Sequence, residues 1–154
     1  MTKTDKSKYN LILNKTSTYY IEQSASNSFH LMLKAGKKLA NQIFINYKKQ
    51  KTLIICGIGG NGGDGFILAQ ELLNKKWDTD VVIIGNKNLI KGDALKALNQ
   101  LKIKPKDFED VDLSKIGLFV DALFGIGLSR KINNKAREIL KTIDKHKAPI
   151  VGVD

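Results

Sequence analysis

The chain is poor in the residues that cross-link a fold or hold metals. Its single cysteine, Cys56, has no second thiol for an internal disulfide. Its two histidines, His30 and His146, have no Cys, His or carboxylate partner at metal-ligand spacing, so no zinc site is supported. Nowhere do 18 consecutive apolar residues occur, and the N-terminal stretch MTKTDKSKYNLILNK has lysines without the apolar run of a signal sequence. The expectation is a cytoplasmic protein with no membrane partner. Arginine is scarce too: only Arg130 and Arg137 stand among 26 basic residues. The lysines run from Lys3 to Lys147 without clustering or aromatic interleaving, so the net charge of +11 reads as a solvated surface rather than a nucleic-acid interface. That positive field still favours a phosphate-bearing ligand.

What is present is enough for one globular domain: 154 residues, 42% of them hydrophobic. The first 20 or so residues are polar and unpatterned, a loose arm or a short strand carrying NLIL. From Ser26, Phe29, Met32, Gly36, Ala40, Ile43 and Tyr47 recur at steps of three and four, which predicts a packing helix ending near Lys48. The period then alternates. TLIIC (52–56), DVVII (80–84), the start of IGLFVDALF (116–124) and PIVGV (149–153) read as strands. GDGFILAQELL (63–73), KGDALKALNQL (91–101) and NNKAREILKTIDKH (133–146) read as helices. Strands apolar on both faces and separated by helices predict an α/β fold: a doubly wound, Rossmann-like, mostly parallel sheet with helices on both faces. Right-handed crossovers bring the carboxyl ends of all strands to one edge, where GIGGNGGDG (57–65), DALFGIGLSR (121–130) and the terminal Val153-Asp154 converge. The chain is read as one domain over residues 1–154. Because Asp154 follows an apolar strand directly, with no closing helix or polar tail, that domain is expected to be truncated at its C-terminal side.

The glycine loop formally satisfies G-x-G-x-x-G at Gly57, Gly59 and Gly62. A conventional NAD site also needs an acidic residue at the end of the second strand to hold the ribose, and here Asn86 stands near that place. An ordinary nicotinamide dehydrogenase is therefore disfavoured. Asp64, at the start of the following helix, suits the macrodipole but opposes a pyrophosphate in the usual pocket. Glycine amides suit phosphate, while carbonyls, Asn61 and Asp64 suit a hard cation. The structural alternative is that the glycines only let helix and strand pack, with Asp64 as a helix cap. Six glycines in nine residues exceed what packing alone requires.

GIGGNGGDGFILAQELL, KGDALKAL and VDALFGIGLSR, preceded by LMLKAGKKLA (31–40), resemble the YjeF N-terminal domain family of NAD(P)HX epimerases over residues from about 24 to 154. Gly60 departs from the family's loop Asn and Ile126 from its Thr. The resemblance implies an isomerase that interconverts the C6 epimers of hydrated NADH and NADPH for nucleotide repair. It implies a substrate site at Gly60, Asn61, Gly62, Gly63 and Asp64, at Gly125, Ile126, Gly127, Leu128, Ser129, Arg130 and Lys131, and at Asp154. It implies a potassium ion held by Asn61, Asp121 and a serine that would follow Asp154. An ADP/ATP-dependent NAD(P)HX dehydratase, fused or separate, is the implied partner, and the family leaves room for a homodimer.

Inverting C6, which bears a hydroxyl and the ring nitrogen, needs proton delivery and removal rather than redox chemistry, so carboxylates suffice. Asp154 and Asp64 are the candidate acid–base groups. Asp154 ranks first, because Asp64 stands where a helix cap is needed. For Asp121 the alternative role is capping the following turn. Arg130 and Lys131 could meet phosphates or simply be solvated. Cys56 is expected in the core, and His30 and His146 on the surface. The competing function is a non-catalytic nucleotide- or protein-binding module on the same fold.

Overall fold

A computed structural model describes residues 27–125 and 134–153. The expected N-terminal arm lies outside the described residues. Helix α1 (Ser28–Asn46) buries Gly36, Ala40 and Ile43 on the predicted stripe, and Asn27 caps it by accepting the His30 amide at 3.1 Å. There follow β1 (Thr52–Cys56), α2 (Gly60–Asn74), β2 (Thr79–Ile83), α3 (Gly92–Gln100), β3 (Leu118–Ala122), α4 (Asn134–Asp144) and β4 (Ile150–Gly152). All strand pairs are parallel, in the order β2-β1-β3-β4.

The continuous apolar strands are explained by two cores, one on each face of the sheet. Ile54, Cys56, Val81, Ile83, Leu118, Val120 and Ala122 face Phe66, Leu68 and Leu72 of α2 together with residues of α1 and α3. Leu53, Ile55, Val82 and Phe119 face Ala136, Ile139 and Ile143 of α4. Successive residues of a strand point to opposite faces, so both sets must be apolar. Each fully buried large side chain contributes about 1.5–3 kcal/mol of transfer free energy.

Most boundaries shift by a residue or two from the expected ones, and the largest shift is at the glycine stretch. Helix α2 begins at Gly60 rather than Gly63, so three residues of the glycine stretch are helix instead of loop. Strand β2 starts one residue early, at Thr79, and β4 shrinks to three residues. Residues 102–115, which carry no helical or strand period, wrap the outer side of β2. Within them Lys106 donates its amide to the Val81 carbonyl at 2.8 Å, and Phe108–Asp110 and Leu113–Lys115 form single 3-10 turns. Asp80 of β2 is buried there, paired with Lys106 at 2.7 Å and with Lys51 at 3.1 Å. Burial pushes the Asp80 carboxyl up. The hydrogen bonds and charges of Lys106 and Lys51 outweigh that effect and hold it below the usual carboxylate range.

Candidate active site

The strand order has one switch point, the position at which open α/β sheets take their ligands. From β1 the chain crosses to β2 on one side and then returns past β1 to β3 on the other, leaving a crevice between the carboxyl ends of β1 and β3. The two ends are joined there, since the Gly57 amide donates to the Ala122 carbonyl at 3.0 Å.

The six glycines divide into two groups. A Cβ on Gly62 would lie 1.9 Å from the Gly57 carbonyl oxygen, and one on Gly65 would meet Cys56 Sγ at 2.7 Å and Ala122 Cβ at 2.8 Å. Gly57 and Gly63 are filled from behind in the same way, by Leu123 and by Met32. Packing therefore accounts for four of the six, more than the sequence reading allowed. Only Gly59 and Gly60 face open space, with nothing within 4 Å of a built Cβ. Gly59 is the N-cap of α2 and offers no side-chain bond. The first amides of α2 have no intrahelical acceptor, so they are available to an anion at that opening.

Asp64 does not cap the helix. It is the fifth residue of α2 and half-buried, one turn beyond Gly60 and hence on the same helical face as the open glycine. The cap expectation fails because the helix starts three residues earlier than its period suggested.

Asn61 lies between the converging strand ends. Its Nδ2 donates to the Val153 carbonyl at 2.6 Å. A Cβ on Gly125 would stand 2.3 Å from its Oδ1. Val153 in turn donates its amide to the Asp121 carbonyl at 2.8 Å. The peptide groups on either side of Val153 thus connect the two residues that the resemblance assigned to a cation. Asp121 Oδ1 accepts the Leu123 amide at 3.0 Å, so the turn-capping role is real. Asp121 also borders a hollow of about 380 Å³ with Arg137, Lys141, Asp144 and Ile150. An amide oxygen, a carboxylate and a strand-end carbonyl form a hard donor set of the kind that suits an alkali cation. No group of three or more His, Cys, Asp or Glu side chains placed for a metal exists among the described residues.

Ile126, Gly127, Leu128, Ser129, Arg130, Lys131 and Asp154 lie outside the described residues. Cys56 is fully buried, as expected for a core residue, and burial pushes its thiol up, away from the thiolate that a nucleophile needs. His30 is exposed as expected. His146 corrects the surface expectation: it is half-buried, packs edge-on against Phe119 at 5.1 Å and accepts the Ala148 amide at 3.1 Å. Asn86 is engaged by the Asn88 amide at 3.0 Å, as a turn cap. Sequence reasoning missed Val153, whose contribution is a backbone carbonyl that leaves no mark on residue type. It also passed over Phe124, an aromatic exposed at the carboxyl end of β3. No helix among the described residues is long and apolar enough to cross a membrane.

Comparison with known proteins gives one consistent result. Residues 28–154 match the family model for the YjeF-related protein N-terminus. An NAD(P)H-hydrate epimerase of Lentilactobacillus buchneri is 33% identical, with 82% of this chain aligned to 61% of that protein. The NAD(P)H-hydrate epimerase of Plasmodium vivax is 35% identical, covering 80% of this chain and 45% of its own length. The bifunctional NAD(P)H-hydrate repair enzyme Nnr of Methanopyrus kandleri is 32% identical over 75% of this chain and 25% of its own length. The chain thus spans about half the length of the epimerases and a quarter of the bifunctional enzyme. The crystal structure of yeast ynu0 has the same fold, with a TM-score of 0.66 at 19% identity, covering 91% of this chain and 68% of that one.

Proposed function

The chain belongs to the YjeF N-terminal family, and on that premise we propose that it is an NAD(P)H-hydrate epimerase, an isomerase that equilibrates the C6 epimers of hydrated NADH and NADPH. The observation that carries this reading is the opening at Gly59 and Gly60. There, uncapped helix amides and the half-buried Asp64 share one face, at the crevice between β1 and β3.

The roles follow from the chemistry of each group. The free amides of α2 and the positive surface attract the ligand's phosphates. Arg130 and Lys131 extend that attraction from the second glycine segment. Inversion at C6 leaves the oxidation state unchanged, so the protein has to supply and remove a proton and hold the ring. Asp154, next in sequence after Val153, is the first acid–base candidate, and Asp64 is the second. Asn61 and Asp121 would hold a potassium ion, which when bound supplies a fixed positive charge beside the ligand. Anomalous scattering from crystals grown in potassium is expected to show an ion beside these two residues, and its absence would remove the cation from the account.

The enzyme works in the cytoplasm, upstream of an ADP/ATP-dependent dehydratase that consumes the epimer it forms. Relatives named as bifunctional repair enzymes support a coupling of this kind.

Asp154→Asn tests the assignment of the proton carrier. It is expected to lower epimerisation by about 10²-fold or more with ligand affinity within a few fold, because the amide keeps the shape but cannot exchange the proton. Near-normal turnover would transfer the role to Asp64.

A further inference from the structure

Gly125 presents a question that its own backbone does not answer. Its φ lies outside the left-handed range that favours glycine; among the described glycines only Gly85 and Gly92 have positive φ. Alanine would be conformationally admissible. What a side chain would meet there is Asn61, whose amide occupies the space that a Cβ would take and would have to move, with Oδ1 at 2.3 Å, the amide carbon at 2.9 Å and Nδ2 at 3.0 Å. The same amide donates to the Val153 carbonyl at 2.6 Å, across 92 residues of sequence.

We propose that Asn61 is a positioning residue: its side-chain amide clasps the carboxyl end of β4 and the start of the β3–α4 connection to the first turn of α2, and Gly125 is glycine to admit it. The Val153 carbonyl belongs to the peptide group that leads into Asp154, and a peptide group is planar. Holding that oxygen therefore orients the plane from which Asp154 departs. The other peptide group of Val153 is fixed by its N–H bond to the Asp121 carbonyl at 2.8 Å. Strand β4 has little burial of its own, being exposed, half-buried and exposed along its three residues. Its end is held by the buried side chain of Val153, 4% exposed in the main core, and by directional bonds that set the orientation of its peptide groups. This role is distinct from ligating a cation, because it acts through Nδ2 and leaves Oδ1 to other partners.

As a contribution to catalysis, the role rests on the proposed epimerase reading; as a clasp it stands on geometry. Both can be read in the full 154-residue chain with Asn61→Ala, Asn61→Asp, Gly125→Ala and the Asn61→Ala/Gly125→Ala double variant. Hydrogen exchange of the Val153 amide is expected to accelerate about tenfold in Asn61→Ala, with the Ile54 amide of β1 unchanged. Asn61→Asp should behave alike, since a carboxylate cannot donate to the carbonyl. Gly125→Ala should loosen Val153 to the same degree, and the double variant should be no worse than either single one, because the amide that clashes is gone.

With hydrated NADH as probe, kcat is expected to fall about tenfold in each variant while KM stays within about threefold. Unchanged Val153 exchange, or additive effects in the double variant, would overturn the clasp. A rise in KM with unchanged kcat would reduce Asn61 to a binding contact and overturn the positioning role. If the parent chain itself shows no epimerisation, the functional reading fails alone, and exchange and additivity still decide the clasp.

Discussion

The two flanks of the sheet are held by different forces. On one side, β2 is buried at every residue, bridged along its outer edge by Lys106, and closed by the ion pairs of Asp80 with Lys51 and Lys106. On the other, β4 is short and Ile150 is 41% exposed. Hollows of about 380 Å³ beside Ile150 and about 330 Å³ beside Val151 flank its opposite faces. The end of β4 is fixed by one buried side chain, Val153, and by a pair of bonds, Val153 to Asp121 and Asn61 to Val153. The difference separates stability from geometry. Burial around β1 and β2 keeps the domain folded, while the end of β4 combines one buried side chain with a few directional contacts whose loss would cost little stability but much alignment.

The sharpest way to break this contrast is at the junction between the halves. Gly62→Ala places a methyl 1.9 Å from the Gly57 carbonyl, a backbone atom that cannot move unless helix and strand separate. Urea unfolding is expected to show a loss of about 3 kcal/mol or more. A loss below about 1 kcal/mol would show that the glycine turn yields.

The β2 flank gives the next largest effect. Asp80→Asn removes the charge that two lysines face and is expected to cost about 1–3 kcal/mol at neutral pH. The sign of the pH dependence follows from the lowered carboxyl pKa. The stabilisation is fully present above the unfolded aspartate value of about 4 and is lost as pH falls through the lower folded value. Unfolding measured from neutral to acidic pH should therefore show a smaller acid loss in the variant; parallel curves would remove Asp80 from the account. Ile150→Ala on the open flank should change stability by no more than about 0.5 kcal/mol, and a larger loss would mean that β4 is more tightly packed than its exposure indicates.

Much of the fold was legible in the residues because continuous apolar strands and 3.6-residue helices have different periods. Strand β1 coincides with TLIIC, and both faces of the sheet carry the cores that such runs require. The start of α2 was not legible. Glycines disfavour a helix by propensity, yet here Gly62 packs on Gly57, Gly63 on Met32 and Ala94, and Gly65 on Cys56 and Ala122, contacts that residue type does not announce. Asp64 consequently moved from a cap to the second turn. For the candidate site, residue type marked Asn61, Asp121 and Gly60, which the fold brings to the carboxyl ends of β1 and β3. It was silent where the site depends on backbone, as at the Val153 carbonyl. Four of the six glycines have a packing reason of their own, which composition cannot separate from a binding one.

The most direct measurement of the central claim is the rate at which purified hydrated NADH, resolved into its C6 epimers, returns to the equilibrium mixture in the presence of this chain. The account predicts equilibration faster than in buffer, with no change in nicotinamide oxidation state. Tight binding of the hydrate with equilibration at the uncatalysed rate would contradict it and make the domain a binding module.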